Sequence, residues 1–331
     1  MKNKIIRLNA PHCLEILEKD ISINLDEDEV LVEIDRISLC GSDLKLYNGC
    51  YNAPSLYPIV IGHEWAGKTI ITGNKVTKVK VGDKVTGDCS IYCGKCPECN
   101  IDKNICRNIE KYGITRNGFG QKYKIVPERY LYKSSHILEN KYLALTECFS
   151  VALHAIKKMK LIANAQNDEI LIIGGGSIGV AIYLLLTYVY KLNNVFILES
   201  STAKVSFLKK VYPDLKVINE ILGCSKYSKI FEASGSLYTF EKALDWVMPY
   251  GSIVCIGFLE KGVLNISSLI TKCINIQGSI GGTGEFEDIL NIFKENSMPL
   301  DQFITEEIKS EHLTGYLSSN RNVSLKIQVI L

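Results

Sequence analysis

Net charge is what this chain has least of: 38 lysines and arginines against 36 aspartates and glutamates leave +2 over 331 residues. Such a balance gives no field to gather a polyanion, so nucleic acid is not an expected partner. Internal repeats and low-complexity segments are also missing, and with 47% hydrophobic and 22% charged residues the chain is too apolar for disorder. Its length allows about two domains of roughly 150 residues each. Twelve cysteines are too few for a disulfide-dense small fold, and Met1 to Asp20 lacks an apolar leader run ending in a cleavage site. The expected setting is cytoplasmic, with reduced thiols.

One stretch suggests a membrane span. From Ile170 to Tyr190 there is no charge, and Gly175-x-x-x-Gly179 has the spacing of a membrane-helix packing motif. Yet Ile170-Leu171-Ile172-Ile173 is strand-like, three glycines follow, and a helical apolar run starts only at Ile178. A buried parallel strand feeding a buried helix has the same hydropathy, so no membrane association is expected.

Two regions of different pattern follow one another. The first 140 or so residues are β-rich: Val30, Val32 and Ile34 alternate with Leu31, Glu33 and Asp35, and Gly, Pro, Asn and Asp cut short apolar runs. At Glu147 the period becomes helical, with Cys148, Ala152, Ala155, Ile156 and Met159 on one face and Lys157, Lys158 and Lys160 on the other, as for a helix bridging two domains. From Asp168, strands over 170–173, 195–198, 229–233 and 252–258 alternate with helices over 178–190, 202–211 and 237–247. That is the punctuation of an α/β domain, a doubly wound parallel sheet that takes ligands at the carboxyl ends of its strands. A helix is expected over Phe286–Glu295. Val323, Leu325, Ile327 and Val329 then alternate with Ser324, Lys326 and Gln328, which predicts a half-buried closing strand. This tail is expected to rejoin the first region, making 1–149 and 284–331 one domain and 150–283 a second, inserted one.

Three motifs carry chemistry. Cys93-x2-Cys96-x2-Cys99-x6-Cys106 puts four thiolates in one loop, enough to surround a tetrahedral zinc and leave no open position, so the site is structural. Two rival readings are unliganded or disulfide-bonded cysteines, against which the reduced setting and the spacing argue, and a zinc-ribbon nucleic-acid module, against which a single cluster in a balanced chain argues. Gly174-Gly175-Gly176-Ser177-Ile178-Gly179 follows a strand and opens a helix, with Glu199 at the end of the next strand. These are the parts of a dinucleotide site: glycines admit the pyrophosphate to a helix N-terminus, and the carboxylate binds the adenosine ribose. Glu199 would repel a 2′-phosphate, so NAD is expected in preference to NADP. Finally, Cys40-Gly41-Ser42-Asp43 and Gly62-His63-Glu64 are weak apart, since a lone Cys or His is more often a core residue. Together they offer a thiolate and an imidazole, and a carboxylate from Glu64 or Glu147 completes three protein ligands with a fourth position open.

With those residues in view, the chain resembles the zinc-dependent medium-chain dehydrogenase/reductase family, the alcohol dehydrogenase superfamily. Gly62-His63-Glu64-x2-Gly67-x5-Gly73-x2-Val76 is similar to the family's zinc signature. Cys40 to Asp43, Gly82-Asp83-Lys84-Val85, the cysteine loop and the glycine fingerprint follow in the family's order. Within it the chain is most similar to the polyol branch, which includes sorbitol and galactitol-1-phosphate dehydrogenases. The segments His63-Glu64-Trp65 and Gly113-Ile114-Thr115-Arg116-Asn117-Gly118 are most like 2-deoxy-scyllo-inosamine dehydrogenase.

The resemblance implies a Rossmann sheet inserted into a β-rich GroES-like catalytic domain, and two zinc ions per chain. Cys40, His63 and Glu147 would hold the catalytic ion, with Glu64 a ligand that exchanges with water, and Ser42 would take the substrate's proton. Gly174, Gly176, Ser177, Ile178, Gly179, Glu199 and Lys204 would hold the dinucleotide, with Ser234, Gly257 and Ser279 near its nicotinamide end. The chain departs from the family in four places: six residues rather than seven between the last two loop cysteines, Lys45 where many relatives have histidine, Gly120-Gln121-Lys122-Tyr123 in place of Ala-Glu-Tyr, and Glu147-Cys148-Phe149 in place of Glu-Pro-Leu. Cys148 is a competing ligand to Glu147. Lys45 and Arg116 are either solvated or available to a substrate phosphate. The implied activity is hydride transfer between NAD(H) and a secondary alcohol or ketone of a polyol, a sugar alcohol, phosphorylated or not, or an aminocyclitol such as 2-deoxy-scyllo-inosamine. The implied assembly is a homodimer or homotetramer. The alternatives are an NADP-dependent biosynthetic carbonyl reductase and a non-catalytic zinc- and nucleotide-binding scaffold.

Overall fold

The computed structural model describes residues 1–134, 138–159, 168–221, 223–259, 261–295, 298–319 and 323–331. Lys160 of the bridging-helix pattern lies outside them. The chain divides into two compact units, one of Met1–Ser150, Gly282–Glu295 and Pro299–Leu331, the other built on Val151–Gly281.

The first unit is organised around the strand Glu29–Leu39, whose Val30, Leu31, Val32, Ile34 and Ile37 are all fully buried. Alternation alone would bury half of them. Here both faces are covered. The strand's edges are paired within a seven-stranded sheet ordered Leu131–Lys133, Lys84–Gly87, Glu64–Thr72, Glu29–Leu39, Lys326–Ile330, Ile304–Lys309, with Tyr123–Pro127 also paired to Glu29–Leu39. A three-stranded sheet of Cys13–Asp20, Lys2–Ala10 and Ile59–Val60 shares its apolar core, in which Trp65 stacks on Phe119 with ring centroids 4.3 Å apart.

The closing strand corrects one sequence expectation. It forms over Lys326–Ile330, but it is buried on both faces rather than one. Its edges are paired, parallel to Ile304–Lys309 and antiparallel to Glu29–Leu39, while side chains on both of its faces are covered. Its polar side chains are instead satisfied internally: Gln328 Nε2 donates to Ser38 Oγ at 3.1 Å and to the Lys141 carbonyl at 2.6 Å, and Lys326 bonds Glu64.

In the second unit six parallel strands run in the order Val217–Ile218, Val195–Leu198, Ile170–Ile173, Tyr227–Glu232, Val247–Cys255, Asn275–Gly278. The order reverses beside Ile170–Ile173, which puts the sheet's ligand crevice at that strand's carboxyl end. The uncharged stretch is this strand plus the helix Ser177–Leu184, which widens into a π-helical turn at Leu185–Val189. Among the described residues no helix is long and apolar enough to cross a membrane. Helix Thr146–Lys158 carries the chain from one unit into the other and buries Cys148, Ala152, Ala155 and Ile156.

Replacing Gln328 by Ala removes the donor to the Lys141 carbonyl and to Ser38 Oγ, which keeps only its own bond to the Ala144 carbonyl at 3.0 Å. It should cost roughly 1–3 kcal/mol of unfolding free energy in urea titrations, whereas an exposed polar-to-Ala change on the Cys13–Asp20 strand should cost less than about 0.5 kcal/mol.

Candidate active site

Sheet register brings the first cluster together. Ser38 is the cross-strand partner of Glu64, so the strand end that leads to Cys40 and the strand start that follows His63 lie side by side. One donor atom each from Cys40, His63 and Glu64 then lie within 4.8 Å of one another. The turn presenting His63 depends on Gly62, whose φ of +89° belongs to the left-handed region. Its carbonyl accepts from Phe119 N at 2.8 Å, and its amide donates to Asp43 Oδ1 at 3.2 Å.

Asp43 is buried, and burial opposes its charge. His63 and the amides of Cys40 and Gly62 outweigh that and hold the carboxyl below its ordinary value. Asp43 Oδ2 accepts from Cys40 N at 2.9 Å, while Oδ1 faces His63 Nδ1 at 3.6 Å. On the opposite side of the ring, Ser42 Oγ lies 3.3 Å from Nε2. A ring with a carboxylate at Nδ1 presents Nε2 to a metal. The donor set is a thiol, an imidazole and a carboxylate, which fits zinc.

The other sequence candidates take up different positions. Glu147 is buried on the first turn of its helix, outside the 4.8 Å group; burial pushes its carboxyl up, and its Oε1 accepts from the thiol of Cys89 at 3.4 Å. Cys148 is fully buried and outside both metal-competent groups. Lys45 is exposed, Arg116 pairs with Glu110 at 2.9 Å, and Lys122 pairs with Glu33 at 3.1 Å.

Cys93, Cys96, Cys99 and Cys106 form the second cluster. Their recorded Sγ separations are 3.4 Å for Cys96–Cys99 and 3.9 Å for Cys93–Cys99 and Cys96–Cys106. A tetrahedron of zinc–sulfur bonds of about 2.3 Å has edges of about 3.8 Å, so the cage fits the ion. Amides of Lys95 and Cys96 pull the Cys93 thiol down to about 6, which favours the ligating thiolate. The six-residue spacing is absorbed by a 3₁₀ turn at Lys103–Ile105, capped where Asp102 accepts from Asn104 N. Asn104 also clasps Thr283, donating from Nδ2 to its carbonyl and accepting from its amide at 3.0 Å.

In the second unit the glycine loop has the shape the fingerprint needs. Gly174 takes φ +103°, and a Cβ on Gly179 would stand 2.0 Å from the Gly174 carbonyl, so helix and strand can close only on a glycine. Gly176 has open space where a Cβ would project, and Ser177 and Ile178 open the helix half-buried. Glu199 accepts from Gly175 N at 3.1 Å and Ser201 N at 2.9 Å, with Lys204 Nζ at 3.9 Å. Ser234 N donates to Glu232 Oε1 at 2.9 Å; Gly257 lies so close to Gly235 that a Cβ would meet its amide at 2.3 Å; Ser279 is buried with its hydroxyl unpartnered.

Comparison with known proteins agrees with this picture. Residues 26–136 match the family model of the alcohol dehydrogenase GroES-like domain, and residues 195–295 match that of the zinc-binding dehydrogenases. An uncharacterised zinc-type alcohol dehydrogenase-like protein of Haemophilus influenzae is 31% identical over 326 residues, 95% of this chain and 94% of that one. The chain belongs to the zinc-dependent alcohol dehydrogenases of the medium-chain family. It is an oxidoreductase of CH–OH groups. D-arabitol-phosphate dehydrogenase of Enterococcus avium is 28% identical over 324 residues, 92% of this chain and 90% of that one. A zinc-binding dehydrogenase of Sinorhizobium meliloti 1021, solved with NADP, superposes with a TM-score of 0.89 at 22% identity, covering 100% of both chains.

The dehydrogenase also buries, against Glu64, a residue whose place the sequence did not show. Lys326 is fully buried and donates to both oxygens of Glu64 at 2.7 Å, 262 positions away. Burial opposes its ammonium, but nearby Cys148 and Glu64 raise it above the ordinary lysine value. The available signal was a lysine inside an apolar terminal strand, but alternation assigned it to solvent. Lys326→Met leaves a buried carboxylate uncompensated and should cost about 3–5 kcal/mol in chemical denaturation; Glu64→Gln combined with Lys326→Met should recover much of that loss.

Proposed function

We propose that this enzyme uses NAD(H) and one catalytic zinc to interconvert a secondary alcohol and its ketone on a polyol, a sugar alcohol or its phosphate, or an aminocyclitol. The observation that carries the reading is the Cys40, His63 and Glu64 group, half-buried at Cys40 and buried at the other two, with Ser42 beside the imidazole. Cys40, His63 and Glu147 would hold the catalytic ion. Glu64, with both oxygens bonded to Lys326, would exchange into that set only by releasing the lysine. The four-cysteine loop would hold a second, structural zinc. Bound, the catalytic zinc supplies a Lewis acid for the alcohol oxygen and NAD supplies the hydride acceptor.

The chain's own residues account for the rest. Asp43 orients the His63 ring and, with its charge, raises the imidazole's basicity. Ser42, half-buried next to Nε2, is placed to take the hydroxyl proton and pass it outward. Glu199 favours an unphosphorylated ribose, although Lys204 at 3.9 Å partly offsets its charge. Exposed Tyr250, Val263, Ile266 and Ile270 on the nucleotide-binding unit support assembly as a homodimer or homotetramer.

The test is metal analysis plus NADH absorbance over polyols, inositols, aminocyclitols and sugar-alcohol phosphates. Two zincs per chain are expected, and Cys40→Ser or His63→Ala should lower turnover at least about 10³-fold while NADH binding by fluorescence stays within threefold. Turnover retained by zinc-stripped protein overturns the reading. In a separate cofactor titration, kcat/KM should favour NAD over NADP by about tenfold or more, and Glu199→Gln should narrow that ratio; equal use of both sinks the NAD assignment.

A further inference from the structure

We propose that Cys89 is a positioning residue for the catalytic metal: its thiol holds Oε1 of Glu147 and turns Oε2 toward the ion. The inference rests on Glu147 being the resting carboxylate ligand. Two carboxylates compete for that role, and they differ in what already holds them. Glu64 has both oxygens bonded to Lys326 at 2.7 Å. Glu147 receives one bond, from Cys89 Sγ to Oε1 at 3.4 Å, and among the described residues no other side chain or amide donates to it. One carboxylate is committed at both oxygens. The other keeps an oxygen free.

Both ends of the Cys89–Glu147 contact are fixed by backbone. The Cys89 carbonyl accepts from Tyr112 N at 2.9 Å, and the preceding Asp88 N donates to the Tyr130 carbonyl at 2.9 Å, so the segment leaving strand Lys84–Gly87 has little freedom. Glu147 sits on a first helical turn, next to Thr146, whose hydroxyl bonds the Leu143 carbonyl at 2.7 Å. Cys89 is 3% exposed. A buried thiol aimed at a buried carboxylate selects one rotamer of that carboxylate, which is the work of the outer partners that orient metal ligands. Direct ligation by Cys89 is the alternative. The charge-transfer readout below separates the two, because a ligating Cys89 would contribute a sulfur-to-metal band that a positioning Cys89 does not.

The experiment uses the two-zinc enzyme, with zinc affinity read by chelator competition and a cobalt-substituted form read by its sulfur-to-cobalt charge-transfer band. Cys89→Ala should weaken one of the two zincs by roughly 10–100-fold and leave the other unchanged. Cys89→Ser, which keeps a donor of similar size, should restore affinity to within threefold, and the charge-transfer band should match wild type in both variants. Glu147→Ala should weaken the same zinc, with Cys89→Ala adding nothing in that background. Unchanged affinity in Cys89→Ala while Glu147→Ala still weakens the site overturns the proposal alone. A charge-transfer band reduced in Cys89→Ala overturns it in favour of direct ligation. No effect from Glu147→Ala overturns the reading on which it rests.

Discussion

The ion pair between Glu64 and Lys326 is the constraint around which the first unit is arranged. Two charges this deeply buried are tolerable only as partners, because either one alone carries an unrepaid desolvation cost of several kcal/mol. The pair fixes the closing strand against the strand that starts at Glu64, and through the shared strand Glu29–Leu39 it fixes the register in which Ile327 opposes Leu39 and Ser38 opposes Glu64. Cys40 and His63 are the residues just beyond those partners. Their proximity is therefore a product of strand register, which is stiff, rather than of loop conformation.

The two cysteine-bearing sites illustrate opposite uses of the same chemistry. In the loop from Cys93 to Cys106 four sulfurs, at recorded separations of 3.4 to 3.9 Å, would complete a coordination sphere and fix a turn that has little apolar core of its own. In the other, one sulfur, one ring nitrogen and carboxylates would leave the sphere incomplete, and the Ser42 hydroxyl and Asp43 carboxylate on either side of the ring would manage a proton and an orientation. Closure makes a brace; incompleteness makes a reaction centre.

Much of this was legible in the sequence where the signal is local. The glycine fingerprint, the carboxylate at the end of the next strand and the four-cysteine loop are each set by short spacings, and the structure places their residues together. Strand and helix alternation gave the parallel sheet because buried parallel strands read as apolar runs. What could not be read was long-range charge matching. Lys326 sits in an alternating strand, and alternation assumes that one face is wet; the rule fails when a sheet is covered on both sides and a carboxylate 262 positions earlier supplies the missing partner. Cys89 escaped notice for a similar reason: nothing near it in sequence marks its approach to Glu147.

A counter-charge made this much later in the chain also sets an order of events. At synthesis rates of about 5–20 residues per second, the 262 positions between Glu64 and Lys326 mean that the carboxylate waits roughly 13–50 s for its cation. Until then the nascent region cannot bury Glu64 at low cost. A chain that stops before Lys326 keeps every proposed metal ligand, yet lacks the one group that offsets the charge of Glu64 among them.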